Sequence, residues 1–121
     1  MKGLMKVFVF TVISVFLASC VQTTKIDWNS KGNEFKGKAG TKATFTVDGG
    51  GSASSLWGTD IYTIDSSLAT AAVHAGVITF EKGGTFTVEF LAGQTNYTAS
   101  DRNGVSSGSW GPYDASFSIA K

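Results

Sequence analysis

Asp65-Ser66-Ser67-Leu68-Ala69-Thr70-Ala71-Ala72-Val73-His74-Ala75-Gly76 is the one stretch of this chain that does not read as strand or turn. Its opening Asp and Ser side chains carry oxygens suited to a helix N-cap, and Gly76 suits a left-handed helix end. Between them the residues are apolar on almost every side. So short a helix is marginal by itself in water, and a helix apolar all round has to be buried all round. The spacing predicts one central helix over residues 66–75, with Asp65 as a cap and alanines that let sheets approach closely.

Outward from the helix the period changes to two. Lys42–Asp48 alternates, with Ala43, Phe45 and Val47 on one face. Gly84–Phe90 alternates again through Phe86, Val88 and Phe90, and Phe117 and Ile119 mark a last strand over Ser116–Ala120. Gly83-Gly84 is expected to fold that second strand back on Val77-Ile78-Thr79-Phe80 as a hairpin. Asn103-Gly104 is another turn signal. Fifteen glycines and a single proline fit short strands and tight turns. The expected fold class is α+β, mainly antiparallel β-sheet wrapped around the short helix.

The first residues read as a targeting segment. Lys2 and Lys6 precede an apolar run, Val7–Phe16, broken only by Thr11 and Ser14. A spanning helix needs ~20 apolar residues, so the run has the length of a signal-peptide core. Leu17-Ala18-Ser19-Cys20 follows it and resembles the lipobox of bacterial lipoproteins, in which the cysteine is lipidated and the signal cut just before it. Cys20 is the only cysteine, which leaves no intramolecular disulfide to expect. The expected organisation is a signal peptide over 1–19, a lipidated tether over 20–25 and one domain over 26–121. Without Lys2 and Lys6 there remain eight Lys and Arg against nine Asp and Glu. That balance argues against a nucleic-acid partner. Residues 25–42 are the basic part and the remainder is acidic.

Leu56-Trp57-Gly58-Thr59-Asp60-Ile61-Tyr62-Thr63-Ile64-Asp65-Ser66-Ser67 and its continuation Ala71-Ala72-Val73-His74-Ala75-Gly76 resemble the signature of the LCCL domain family. The resemblance extends through Gly83-Gly84, Tyr97, Asn103-Gly104-Val105-Ser106-Ser107 and Phe117, with Ser109-Trp110-Gly111-Pro112-Tyr113 as a tail. Its motif residues here are Gly58, Thr59, Tyr62, Asp65, Ser66, Ser67, Ala72, His74, Gly76, Asn103 and Gly104. The resemblance implies a helix surrounded by sheet and an extracellular binding module, with lipopolysaccharide as the ligand proposed for the family. Animal members carry cysteines, one of which would fall at Ala69 and others near Asp48 and Gly51; this chain has none there.

No residue pattern calls for catalysis. His74 lacks a second histidine or a thiol with which to hold a metal, and it reads as a core histidine hydrogen-bonded to backbone. Asp60 and Asp65 could be set as a glycosidase-like carboxylate pair, but Asp65 is expected to cap the helix. Gly49-Gly50-Gly51 is not followed by the Lys-Ser/Thr of a phosphate loop. No enzyme activity, cofactor or metal is expected. Aromatic side chains are the better lead, because Tyr and Trp join apolar area to a polar tip. Trp57 and Tyr62 are expected to pack inside. Trp110, Tyr113 and Tyr97 are the candidate ligand contacts, the first two flanked by turn residues and expected to be exposed.

The expected function is therefore a lipid-anchored cell-envelope module. Its membrane contact is the N-terminal lipid, and its candidate ligands are lipopolysaccharide, a glycan or an envelope protein. The alternative is a structural envelope lipoprotein acting by assembly. Val21 is not the aspartate that retains lipoproteins at the inner membrane in enterobacteria-like sorting, so the outer membrane is the expected destination where one exists.

Overall fold

The computed structural model describes residues 22–121. The signal-peptide run, the lipobox and Cys20 lie outside the described residues. Among the described residues, eight strands, one helix and one 3-10 turn follow in the order β1 (Thr23–Lys25), the 3-10 turn (Asn33–Phe35), β2 (Lys42–Asp48), β3 (Gly58–Thr59), β4 (Ile61–Thr63), α1 (Leu68–His74), β5 (Gly83–Gln94), β6 (Asp101–Arg102), β7 (Val105–Ser106) and β8 (Tyr113–Ile119). Six strands form one sheet in the order β1-β2-β5-β8-β4-β3, and β6 pairs with β7 as a separate hairpin. β1 runs parallel to β2, and the other neighbours are antiparallel. The α+β expectation holds.

The alternation in the sequence sets the inner face of the sheet. Phe45, Val47, Phe86, Val88, Phe90, Phe117 and Ile119 are buried there. Phe45 stands opposite Phe86, and Phe90 opposite Phe117, in register. Every residue of α1 is buried, as an all-apolar helix requires. The wrapping is not by sheet alone. The sheet covers part of α1, while loops and the β6–β7 hairpin close the rest. Leu68 N–H donates to the Ser30 carbonyl at 3.0 Å and Ser67 N–H to the Ser55 carbonyl at 2.7 Å. Asn103 Nδ2 donates to the His74 carbonyl at 2.9 Å.

The helix begins later than the cap residues suggest. Ser67 is the N-cap, its Oγ accepting from Thr70 N–H at 3.1 Å and donating to the Trp28 carbonyl at 2.8 Å. Asp65 is not the cap: it sits in the turn closed by Ser66 N–H on the Thr63 carbonyl, two residues before Ser67, and its carboxylate accepts from Thr63 Oγ1. The far end is as the sequence implies. Gly76 has φ +87°, and its N–H donates to the Val73 carbonyl while Val77 N–H reaches back to Ala72. This double bond pattern is the Schellman ending.

The expected hairpin between Val77–Phe80 and the following strand is absent. Val77–Phe80 is a turn region touching β5 only through the bridge Thr79–Gly83. Thr79 Oγ1 accepts from Lys82 N–H, and the Thr79 carbonyl accepts from Gly83 N–H, which consumes the groups a strand needs. β5 pairs instead with β2 and β8. Asn103-Gly104 does form a tight two-residue turn, with φ +51° and +78°, between β6 and β7.

The segment before β2 adds a cover that the alternation gave no sign of. Phe35 stacks on Phe90 with centroids 4.2 Å apart and planes 9° apart. Trp28 leans on Phe80 at 5.2 Å and donates its indole N–H to the Asp48 carbonyl at 2.9 Å. A Cβ on Gly51 would sit 2.0 Å from the Trp28 ring, so this glycine is what admits the indole.

Candidate functional site

The motif residues are brought together, and the structure uses them on one another. Gly58 holds φ +108°, and a Cβ there would lie 2.3 Å from the Ile61 carbonyl oxygen. Thr59 Oγ1 donates to the Thr98 carbonyl at 2.8 Å and meets Ser100 Oγ. Ser66 Oγ accepts from Trp57 N–H at 3.0 Å and shares a bond with Thr63 Oγ1 at 2.9 Å. Ser67 caps α1, and Ala72 is fully buried against the core. Gly76, Asn103 and Gly104 close the helix end and the hairpin, as described above.

His74 is fully buried, with Tyr62 Oη 2.9 Å from Nδ1 and the Ser100 carbonyl and Oγ each 3.2 Å from Nε2. A carbonyl can only accept, so Nε2 carries the proton and Nδ1 accepts from the Tyr62 hydroxyl. Burial pushes the Tyr62 phenol up to about 12, against a smaller opposing pull from the Asp60 backbone N–H, so its proton stays in place at neutral pH. Both ring nitrogens are engaged. Among the described residues no buried side-chain N or O lacks a partner. This histidine has no free lone pair with which to act on a ligand.

The two aspartates have separate partners. Asp60 pairs with Arg102 at 2.8 Å. Asp65 accepts from Thr63 Oγ1 and forms no ion pair among the described residues. No group of three or more His, Cys, Asp or Glu that could hold a metal occurs among the described residues.

The aromatic candidates divide. Tyr97 is buried; its hydroxyl accepts from Gln94 N–H at 3.0 Å and lies 3.4 Å from the Tyr113 carbonyl. It is a corner of the core and offers a ligand nothing. Its backbone does matter, because N–H and C=O of Tyr97 and Trp110 bond reciprocally at 2.8 and 3.0 Å. That bridge holds Trp110 in place while its indole stays 49% exposed. Trp57 is half-buried and meets Trp110 at 5.3 Å with the rings 57° apart. Its other contact is the Gly108 backbone, where a Cβ would fall 2.5 Å from the indole. Beside the paired indoles, and lined by them together with Thr63 and Asp65, is a cavity of about 70 Å³. Tyr113 is half-buried beside it, and burial together with the Asp65 carboxylate raises its phenol above the ordinary value. Two broader grooves of about 360 Å³ lie elsewhere, one along Val73, Ile78 and Phe80, the other along Thr24, Lys42 and Thr44.

Of the two aromatics expected to be exposed, Trp110 is, whereas Tyr113 is half-buried in β8; Trp57, Thr63 and Asp65, which line the cleft with Trp110, are not among the expected ligand contacts. The nearest signal was Trp57 itself, ahead of a glycine in a turn-rich stretch.

Comparison with known proteins agrees with this architecture. The family model described as LCCL domain matches residues 19–117. Human cochlin is 40% identical over 67 residues, covering 55% of this chain and 12% of cochlin. Human vitrin is 46% identical over 52 residues, covering 43% of this chain and 8% of vitrin. The human cysteine-rich secretory protein LCCL domain-containing 2 is 46% identical over 56 residues, covering 46% and 11%. The matched region is thus a small fraction of each of these longer relatives. With the family model spanning most of its length and the signature residues built into one helix-centred core, the chain belongs to the LCCL domain family.

Proposed function

We propose that this LCCL domain is a lipid-anchored binding module of the cell envelope, acylated at Cys20 and meeting its ligand with the Trp57–Trp110 face. The observation that carries the reading is Trp110. A large indole held half in solvent by a backbone bridge, and leaning on a second indole, is a surface arranged for contact. Elsewhere the motif is occupied with its own hydrogen bonds. Leu17-Ala18-Ser19-Cys20 supports the anchor, since two acyl chains suffice for stable membrane attachment. Val21 supports the outer membrane as the destination. The ligand classes in view are lipopolysaccharide, a glycan and an envelope protein, and LCCL family membership supports a binding module over an enzyme.

The test is a titration of the full chain, purified in an uncharged detergent, against lipopolysaccharide, peptidoglycan fragments and envelope protein extract, followed by tryptophan emission. Saturable binding lost in Trp110→Ala supports the reading. Binding unchanged in that variant moves the site off this face. The anchor is tested separately by mass: a Cys20→Ala chain should lack the diacylglyceryl mass and leave the membrane fraction.

A further inference from the structure

The cleft beside Trp110 is small, and its chemistry is lopsided. Its volume is about 70 Å³, whereas a bound molecule of drug or sugar size needs ~300 Å³ or more. At ~30 Å³ per water in the liquid, it admits one functional group and not a ring. Two of its four lining residues are indoles and one is a carboxylate. Asp65 accepts from Thr63, has the Tyr113 hydroxyl against its carboxylate, and has no cation beside it in an ion pair among the described residues. Lys36, which stands close enough to Tyr113 and Asp65 to feel both, is already paired with Asp114 at 3.0 Å. Lys36, Asp65 and Asp114 together leave one net negative charge beside two electron-rich ring systems.

Aromatic faces attract organic cations, Trp most strongly, and the attraction grows when the cation leaves water. A carboxylate at the back of such a cleft adds direct charge pairing. We propose that the cleft bordered by the touching Trp57 and Trp110 indoles, Thr63 and Asp65 receives the cationic tip of a Lys or Arg side chain from a protein partner, with Asp65 as its counter-charge. The inference rests on the binding-module reading and narrows it to a protein ligand. A phosphate-bearing amine is disfavoured, because its anion would approach Asp65 and Asp114 together. The site would act as a socket for one basic anchor residue, with the surrounding polar surface excluding water around it.

The experiment uses the nitrogen-15-labelled full chain in octaethylene glycol dodecyl ether, a detergent with neither sugar nor charge. Indole N–H resonances of Trp57 and Trp110 are followed during titration with Nα-acetyl-arginine amide and Nα-acetyl-lysine amide. The isosteric neutral Nα-acetyl-citrulline amide and phosphoethanolamine serve as controls, and Trp28 as the internal reference. Saturating shifts of Trp57 and Trp110 with either basic amide are expected, at least tenfold weaker with citrulline and with phosphoethanolamine, while Trp28 stays still. Asp65→Asn should weaken the basic amides at least fivefold and leave citrulline unchanged. Equal response to arginine and citrulline, or preference for phosphoethanolamine, overturns the inference, as does binding that Asp65→Asn leaves intact. Should Asp65→Asn fail to fold, the arginine–citrulline comparison on the native chain decides alone. If Trp110→Ala abolishes binding of an envelope ligand while the basic amides move neither indole, the cation socket fails and the binding module stands.

Discussion

Two stretches of similar length, residues 58–76 and 95–112, use the same kinds of residue in opposite ways. The first holds the signature and directs its polar groups inward. Gly58, Tyr62, Ser66, Ser67, Thr70 and His74 are all buried, and every one of those side chains with a polar atom is hydrogen-bonded. The second has only four residues in strands. Its order comes from the Tyr97–Trp110 backbone bridge, from Ser100 bonding to Ser107, and from the buried Tyr97 ring. The difference teaches that the most recognisable residues here are structural, whereas contact with the outside falls to residues that a scaffold of this kind holds in position. The contrast predicts a gradient in what substitution does, steep in the first stretch and shallow in the second.

The strongest way to break the contrast is at His74. His74→Phe removes the acceptor for the Tyr62 hydroxyl proton and leaves that buried donor unsatisfied, a loss of about 1–3 kcal/mol. Forcing a larger apolar ring into the same space adds about 1–3 kcal/mol. The expected total is about 3 kcal/mol, or a fall in Tm of roughly 15 °C at this size, read by thermal and urea unfolding. A fall of under 1 kcal/mol would mean that the histidine is not held as the geometry shows, and would reopen a functional role for it.

Alkali tests the same network without mutation of the histidine. Burial pushes the Tyr62 phenol up to about 12 in the fold, against about 10 for an ordinary tyrosine. A group whose value is raised by folding stabilises fully below its unfolded value and loses that contribution as pH rises through the folded one. Stability should therefore hold level up to pH 10 and fall between pH 10 and about 12, by up to roughly 2–3 kcal/mol. Tyr62→Phe starts less stable and should lack that part of the decline; matching curves for the two proteins would contradict the burial of the phenol.

Ser67→Ala is the next smaller effect. It removes the helix cap and the bond to the Trp28 carbonyl, for a loss of about 1–2 kcal/mol. Asp65→Ala at the residue two before it should cost clearly less, and the order of the two midpoints in urea sharpens which residue is the cap. Trp110→Ala closes the series. With half its indole in solvent it gives up roughly 100 Å² of buried apolar surface and regains side-chain freedom, so it should cost about 1–2 kcal/mol while removing ligand binding. Destabilisation as large as that of His74→Phe would erase the distinction between the two stretches.

Much of the architecture was legible because a period of two survives in Ala43-Phe45-Val47 and Phe86-Val88-Phe90, and because an all-apolar run ending in Gly76 has few places to go. Asn103-Gly104 reads as a turn since both residues tolerate positive φ. The Val77–Phe80 hairpin was misread for a physical reason. A short apolar run is compatible with a strand, but the Schellman ending and the Thr79 turn take its backbone groups first. The cap was ambiguous because Asp65, Ser66 and Ser67 are all good caps, and only the path of β4 into α1 chooses among them. The cleft was least legible. Trp57 and Trp110 are 53 positions apart, and their meeting depends on Gly108 lying under one indole and Tyr97 bridging to the other. Trp28 over Gly51 was hidden in the same way.

The parallel strand at the sheet edge has a mechanical consequence. β1 is three residues long, is paired on one side only, and is the first hydrogen-bonded element on the N-terminal side of the described residues. Tension arriving through the N-terminal chain would load β1 before it reached the core. Behind β1 stand Ile26 N–H on the Thr46 carbonyl and the Trp28 indole on Asp48, while the Lys25–Asp48 pair would go with the strand. Release of β1 alone would pay out about 10 Å of chain at ~3.3 Å per residue, leaving the helix, the sheet interior and the indole cleft as they were. Stretching single molecules between the N-terminus and Lys121 should show that small yielding step ahead of the main rupture, and its absence would place β1 in the same mechanical unit as the core.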